Sequence, residues 1–321
     1  MSLEWEPLTR DDAEPLADLL VAIEAEDRTG EAADLDDVRE QLSHHLLDLA
    51  AGTLAAREGG RIVAFGYLTV RQSVVDTHVM RLTGGVHPAY RRRGLGKRVL
   101  DWSLATAPAL SEKAFPGVPL EVHLNVYDTN AGLKALAEGA GFTANRWFVQ
   151  MGRPLTGELP KVAPPEGVSI DTWSPELDEG AREVRNVAFR DHWGSVPHTP
   201  ESWQAYIVGT RNFLPASSFV ALHEGRAVGV LMTHTFEGYN EQAGERRAWI
   251  QIIGTLREWR GKGVAGALIA HALAAFRAQG FDTAGLGVDA DNPTGAVSVY
   301  ARAGFEPLTR TTNYALPLAT G

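Results

Sequence analysis

The sequence predicts an α/β (α+β) chain built as two tandem domains of one kind, each a mixed sheet flanked by helices. Three observations carry this. A proline-bearing stretch divides the 321 residues near their midpoint, three blocks of sequence recur in the same order on either side of it, and within each half short strand-like runs alternate with longer helical ones.

The divider is "MGRPLTGELPKVAPPEGVSI", residues 151–170, which carries Pro154, Pro160, Pro164 and Pro165. Proline lacks an amide donor and fixes φ, so such a stretch runs through neither a helix interior nor a sheet centre. It reads as a semi-rigid linker. The expected domains are 1–153 and 168–321, joined by 154–167.

The repeats then fall into place. "LAAREGGRIVAFGYLTV" is matched by "FVALHEGRAVGVLMTHTF", two apolar runs around a Glu-Gly turn, which is a hairpin signal. "VMRLTGGVHPAYRRRGLG" is matched by "WIQIIGTLREWRGKGVA", and "LNVYDTNAGLKALAEGAGF" by "LGVDADNPTGAVSVYARAGF". The offsets are nearly constant, about 165 residues at Arg61/Arg226, 169 at Arg91/Arg260 and 163 at Gly141/Gly304. Duplication explains this; chance does not.

In the second half, "PELDEGAREVRNVAF" and "PESWQAYIVG" predict early helices. "SFVALHEG", "RAVGVLMTHTF" and "RAWIQIIGT" predict three strands. "VAGALIAHALAAFRAQG" predicts a helix with Gly280 past its end, and "TAGLGVD" a further strand. Asn292 then suits an N-cap, with Pro293 in the first helical position.

Composition excludes several classes of function. A net charge of −10 gives no general attraction to nucleic-acid backbones or acidic membranes. Without cysteine there are no disulfides, thiolate metal sites or cysteine nucleophiles. No metal site is expected. No signal-like start and no apolar run of about 18 residues stand in the sequence, so the expectation is a cytoplasmic chain, monomer or homodimer, with no membrane span.

The chemistry sits where a strand ends and a helix begins. Arg91-x-x-Gly94-x-Gly96 stands there in one half, and Arg260-x-x-Gly263-x-Ala265 in the other. Unpaired amides at a helix start, with the helix dipole behind them, favour an anion, and a glycine lets a pyrophosphate come close. Arg91, Arg93, Lys97, Arg260 and Lys262 add positive charge at the rim. Neither loop is a Walker loop, since no Gly-Lys-Ser/Thr closes it, and neither is a Gly-x-Gly-x-x-Gly dinucleotide turn.

These loops, the Asn-led helix after the next strand and the Gly-Phe at that helix's end resemble the GNAT superfamily of N-acetyltransferases, over nearly the whole chain and in both halves. The tandem arrangement resembles the mycothiol synthase type. The resemblance implies mostly antiparallel sheets whose fourth and fifth strands splay, and acetyl-CoA as co-substrate. It implies that the pyrophosphate lies on Arg91, Arg92, Arg93, Gly94, Leu95, Gly96 and Lys97, or on Arg260, Gly261, Lys262, Gly263, Val264, Ala265 and Gly266. The strand ends Val86–His87 and Thr255–Leu256 would bond the pantetheine arm, with Asn130 and Asn292 near the cofactor.

The family's proton donor to the departing thiolate is a tyrosine four residues before the Gly-Phe. That is Tyr300 in the second half and Ala137 in the first, so the second half is expected to be catalytic and the first to bind CoA or serve as structure. The fourth strand, "AWIQIIGT", has no acid to serve as base; His234 is the candidate on the neighbouring strand. Asp191, His192 and Trp193, in a loop between the early helices, suit recognition of a polar amine. The expected reaction is acetyl transfer to a primary amine of a small molecule by direct attack in a ternary complex. The competing readings are a non-catalytic acyl-CoA-binding or regulatory protein, and a peptide or protein N-acetyltransferase.

Overall fold

The computed structural model describes residues 3–44, 47–70, 73–291 and 295–318. The first half runs β1 (Glu4–Glu6), α1 (Ala13–Asp27), α2 (Leu35–Ser43), α3 (Leu49–Gly52), β2 (Thr53–Glu58), β3 (Arg61–Thr69), β4 (His78–Val86), α4 (Leu95–Ala114), β5 (Leu120–Tyr127), α5 (Ala131–Gly139) and β6 (Thr143–Pro154). The second runs β7 (Val168–Thr172), α6 (Asp178–Ala188), α7 (Pro200–Trp203), β8 (Phe219–His223), β9 (Arg226–His234), α8 (Glu237–Ala243), β10 (Arg247–Thr255), α9 (Val264–Ala278), β11 (Thr283–Asp289), α10 (Ala296–Arg302) and β12 (Glu306–Leu318). Among the described residues no helix is long and apolar enough to cross a membrane.

Chain order and spatial order part company at the last strand of each half. The compact units are 1–146 with 311–321, and 147–310. The first unit's sheet runs β1-β2-β3-β4-β5-β12, so the end of the chain supplies its last strand. The second unit's runs β6-β11-β10-β9-β8-β7, closed by a strand from the first half. Thr311 to Leu318 pair antiparallel with Tyr127 to Leu120, and Phe148 to Pro154 with Asp289 to Thr283. The expected division at 153/168 therefore follows the chain but not the packing. Within each unit, among the described residues, β4–β5 and β10–β11 pair in parallel and the other neighbours antiparallel, so each sheet is mixed and mostly antiparallel.

The proline-rich stretch is more than a spacer. Leu155 and Leu159 are buried in the second unit's core, the Leu155 amide donates to Asp282, and Arg277 reaches the Gly157 carbonyl at 3.0 Å. Two buried leucines stabilise that docking by about 1.5–3 kcal/mol each.

In each unit, helices cover both faces of the sheet, and glycines mark the closest approaches. A Cβ on Gly85 would stand 2.5 Å from Ile23 of α1, and one on Gly254 would stand 3.1 Å from Ala188 of α6. On the opposite face Gly229 meets Val264 and Leu268 of α9, and Gly66 meets Val99 of α4. The helix ends that approach the site are thus set by contacts no larger side chain would allow.

The exchanged strand makes a testable prediction. Tyr314 of β12 is buried in the first unit's core, and its hydroxyl donates to Glu138. Tyr314→Ala is expected to cost about 3 kcal/mol, and hydrogen exchange should quicken in β5, far away in sequence, while the amides of β9 and β10 stay protected.

Candidate functional site

The site begins where the parallel strands separate. In the first unit β4 and β5 pair over four positions, ending with Arg81 opposite His123, and then part. In the second, β10 and β11 pair from Arg247/Thr283 to Ile250/Leu286 and then part. The splay the resemblance implied is thus present in both. One difference separates them. The register of β10 against β9 slips between Ile250 and Ile252, a bulge at Gln251, whereas β4 runs against β3 without a break. A bulge re-aims backbone groups, and such features concentrate beside active sites. Nothing in the run "AWIQIIGT" marks it beforehand.

Beyond each splay lies a loop of matching geometry. Gly94 (φ 83°) and Gly263 (φ 92°) are the N-caps of α4 and α9, both left-handed, and neither helix has a side-chain cap. A Cβ on either glycine would point into open space. Two residues earlier, Arg92 (φ 64°) and Gly261 (φ 74°) are left-handed as well. Paired positive-φ residues before an uncapped helix turn amides toward one spot, which fits a pyrophosphate. Arg93 lies over Tyr90 at 5.0 Å, and Lys262 over Trp259 at 4.7 Å. Lys97 pairs with Asp101 at the exposed rim. Leu95 and Val264 are buried and anchor the helix starts; Gly96, Ala265 and Gly266 complete the first turns.

The first arginine of each motif has another task. Arg91 forks onto Asp27, the last residue of α1, at 2.7 and 2.8 Å, and its Nε donates to the Val86 carbonyl. Arg260 donates to the carbonyl of Ala188, the last residue of α6, and through Nε to Thr255. Both brace a helix end against a strand end and build the cradle from behind. The Arg91–Asp27 pair, part-exposed, is worth about 1 kcal/mol.

The strand ends are also more committed than the sequence suggested. The amides of His87 and Leu256 donate to the Val63 and Val228 carbonyls. The His87 ring accepts from the Ala89 amide and meets Arg61 at 2.7 Å; desolvation, then the charges of Arg61 and Arg91, lower its pKa. His87 and Leu256 therefore shape turns and have no amide to spare for a pantetheine arm. Thr255 differs: its Oγ1 is buried and has no hydrogen-bond partner among the described residues, an orphan at the open end of β10.

At the far end of the site, α5 and α10 finish alike. The Phe142 amide donates to Ala137, and the Phe305 amide to Tyr300. Gly141 (φ 90°) and Gly304 (φ 83°) close the two turns. Ala137 and Tyr300 thus occupy one structural position. Tyr300 is buried against Phe305, and burial raises its phenol well above the ordinary value, so it stays protonated. Asn130 caps α5 through the Leu133 amide at 2.9 Å. Asn292 and Pro293 lie outside the described residues; the described helix runs from Ala296 to Arg302.

His234 takes a different place from the one expected of a base. It is buried, its Nε2 lies 2.9 Å from the Ile207 carbonyl, and its ring packs edge-on to Phe213 and Phe236. Its partner across the sheet is Trp249, at the closed end of β10. It is a core histidine that bolts β9 to the 204–208 turn. Three residues on, Glu237 opens α8.

Other groups line that face of the second sheet. The Trp249 indole lies over Gly285, where a Cβ would come within 2.7 Å of it, and reaches Gly287. Asp289 follows on the same face, opposite Phe148, and its buried carboxylate accepts from the Asp291 amide. Trp193 packs on Phe148 with ring centroids 6.0 Å apart. His192 turns instead onto Phe189, and Asp191 is exposed. Arg182, Arg185 and Asn186 of α6 hold the carbonyls of His198 and Val196, which fixes this loop. Sequence reading missed Asp289 and Trp249 because their role depends on strand register. Among the described residues no group of three or more His, Cys, Asp or Glu side chains could hold a metal.

Two splayed parallel pairs, each followed by an uncapped glycine cradle, set the frame for comparison with known proteins. The Acetyltransferase (GNAT) family model matches residues 17–142 and again 181–305. The chain belongs to the GNAT acetyltransferase family. It is therefore a GNAT-fold, acetyl-CoA-dependent acyltransferase with the family's general N-acetyltransferase activity. It is 34% identical to a mycothiol acetyltransferase of Thermobispora bispora over 85% of this chain and 88% of that one. It is 30% identical to a Streptomyces coelicolor protein of the same name, over 83% and 77%. A GCN5-related N-acetyltransferase from Sphaerobacter thermophilus superposes with a TM-score of 0.77 at 25% identity, covering 98% and 95% of the two chains. A tandem GNAT protein from the clavulanic acid biosynthesis pathway shares the fold, with a TM-score of 0.75 at 21% identity and 98% of each chain covered.

Burial lowers the His234 pKa, and the contact with the Ile207 carbonyl offsets part of that. The unfolded chain therefore takes up a proton that the native ring refuses, so the native state loses stability as pH falls through about 6.5. Urea unfolding from pH 7 to pH 5 should show this loss. His234→Gln should remove it, flattening the slope by at most about 1.4 kcal/mol per pH unit.

Proposed function

We propose that the second unit transfers the acetyl group of acetyl-CoA to a primary amine of a small molecule, by direct attack in a ternary complex. The first unit's cradle, on this reading, binds CoA without turnover. The observation that carries the proposal is the pair Ala137 and Tyr300. The two helix ends have the same turn and the same closing bonds, yet only the second carries a group that can give up a proton. The β10 bulge and the orphan Thr255 hydroxyl, both in the second unit, support the same assignment.

The chemistry follows from the groups present. The attacking amine must be neutral, although a free one has a pKa of about 10. Nitrogen attacks the thioester carbonyl, the C–S bond breaks, and sulfur leaves as thiolate. Tyr300, kept neutral by burial, stands to protonate it. Thr255 Oγ1 is a donor with no other duty at the open end of β10. In place of His234 we assign Asp289 to hold the incoming ammonium and take up its proton. It is the buried carboxylate on the face lined by Trp249, Phe148 and Trp193. The relatives named mycothiol acetyltransferase make a precursor of that thiol the first acceptor to try.

Tyr300→Phe is expected to lower kcat about 100-fold while acetyl-CoA binding stays within about twofold of wild type. Full turnover in this variant would remove Tyr300 from the mechanism. Asp289→Asn should act on the acceptor, raising its KM at least about tenfold with little change for acetyl-CoA; an unchanged acceptor KM would remove Asp289 from the site.

A further inference from the structure

Three glycines pave the face of the second sheet that carries Asp289. Gly285 and Gly287 alternate with it along β11, and Gly152 of β6 pairs across from Gly285. Two large side chains lean over this floor. From β10, the Trp249 indole lies on Gly285 and reaches Gly287, where Cβ atoms would stand 2.7 and 3.8 Å from it. From β12, Leu308 lies over Gly152, where a Cβ would stand 2.6 Å from it. The missing side chains let an indole and an isobutyl group lie down against the sheet instead of standing up from it. The first unit has no such floor, since His123 pairs with Arg81 where Gly285 pairs with Trp249.

An indole that lies flat has one face on the glycines and the other turned off the sheet. Trp249 is half-buried, and among the described residues no other ring stacks on it. Leu308, over the neighbouring strand, is 52% exposed. Together they form an apolar shelf. Arg247 closes one end of it: its stem would stand 3.1 Å from a Cβ on Gly285. The Arg247 guanidinium is held by Glu245 at 2.8 Å and lies over Tyr239 at 4.2 Å, so its charge is already paired and does not repel a second cation. At the other end is the buried Asp289, two residues past Gly287 and so about 7 Å further along the strand. Phe148 is its partner across the sheet, and Trp193 packs on Phe148.

We propose that this shelf receives the body of the acceptor, and that the acceptor is a primary amine joined by a short chain to a flat apolar ring. The ring stacks on the outer face of Trp249 beside Leu308, and, on the acetyl-transfer reading above, the ammonium meets Asp289. Offset stacking of rings adds to the burial of their area, and an apolar ring on an indole leaves no polar group unpaired. The span of about 7 Å from shelf to carboxylate suits a link of two or three carbons. An amine without a ring would reach Asp289 but leave Trp249 and Leu308 in water. Trp249 is thereby a specificity-determining residue, and Gly285 the position that lays it flat.

The test is calorimetric titration of the full chain, at saturating CoA, with 2-phenylethylamine and with n-butylamine, which share an alkylamine head and differ in the ring. The ring-bearing amine is expected to bind at least about tenfold more tightly. Trp249→Ala should bring that ratio below about twofold, and Trp249→Phe should keep part of it. Gly285→Ala puts a methyl group where the indole lies, and should lower the ratio at least about threefold without removing a binding group. Melting temperature, measured alongside, must match wild type for a variant to count. Leu308→Ser, at an exposed position, should also lower the ratio at least about threefold, and serves if the strand variants fail to fold. Equal binding of the two amines, or a wild-type ratio in Trp249→Ala or Leu308→Ser, would overturn the proposal. Turnover of both amines is followed on the same samples. Ring-selective binding that Trp249 controls, with neither amine acetylated, would support the shelf and remove the transfer reading, so the two fail separately.

Discussion

A pair of parallel strands that separates leaves backbone amides and carbonyls without their ladder partners, and buried groups of that kind must be satisfied by something. Both units are organised around this constraint. Each sheet pairs its central parallel strands for four positions and then lets them part. The demand created there sets what surrounds it. A glycine at the strand end lets a helix approach, an arginine braces that helix against the strand, and an uncapped helix opens onto the gap. An acyl thioester with a phosphate-bearing tail answers that demand, and the family match agrees with it.

On this common frame, a few side chains separate the two copies. Equivalent turns present Ala137 or Tyr300, and equivalent strand positions present Arg81 or Trp249. At the splay, the second copy's backbone carries the bulge at Gln251 that the first lacks. On the proposed reading, binding the carrier draws on backbone and glycine geometry that both copies share. Moving a proton needs a particular atom, and the copies differ there. The strand exchange adds a constraint of its own, since each sheet is closed by residues from the other half of the chain.

Much of this was legible in the sequence because it is local. The cradles are short motifs at strand–helix junctions, and the glycines of those motifs and of the Gly-Phe turns, Gly94, Gly263, Gly141 and Gly304, are all left-handed. What was not legible depends on contacts between distant segments. His234 has a candidate base's chemistry, but only the fold shows that Ile207, Phe213 and Phe236 enclose it. Asp289 reads as an ordinary strand end until register sets it opposite Phe148. Arg91 and Arg260 looked like phosphate ligands because charge is visible in a sequence and a carboxylate or carbonyl partner is not. The exchange of β6 and β12 was hidden for the same reason: a strand's pattern says which face is buried, not which neighbour it takes.

The central claim is that two cradles bind and one unit reacts. A crystal structure of the full chain with a non-hydrolysable acetyl-CoA analogue tests it most directly. The account predicts an analogue in the second unit with its thioester-sulfur position between β10 and β11, about 3 Å from the Tyr300 hydroxyl. An acyl group bound only between β4 and β5, beside Ala137, with the gap between β10 and β11 empty, would contradict it.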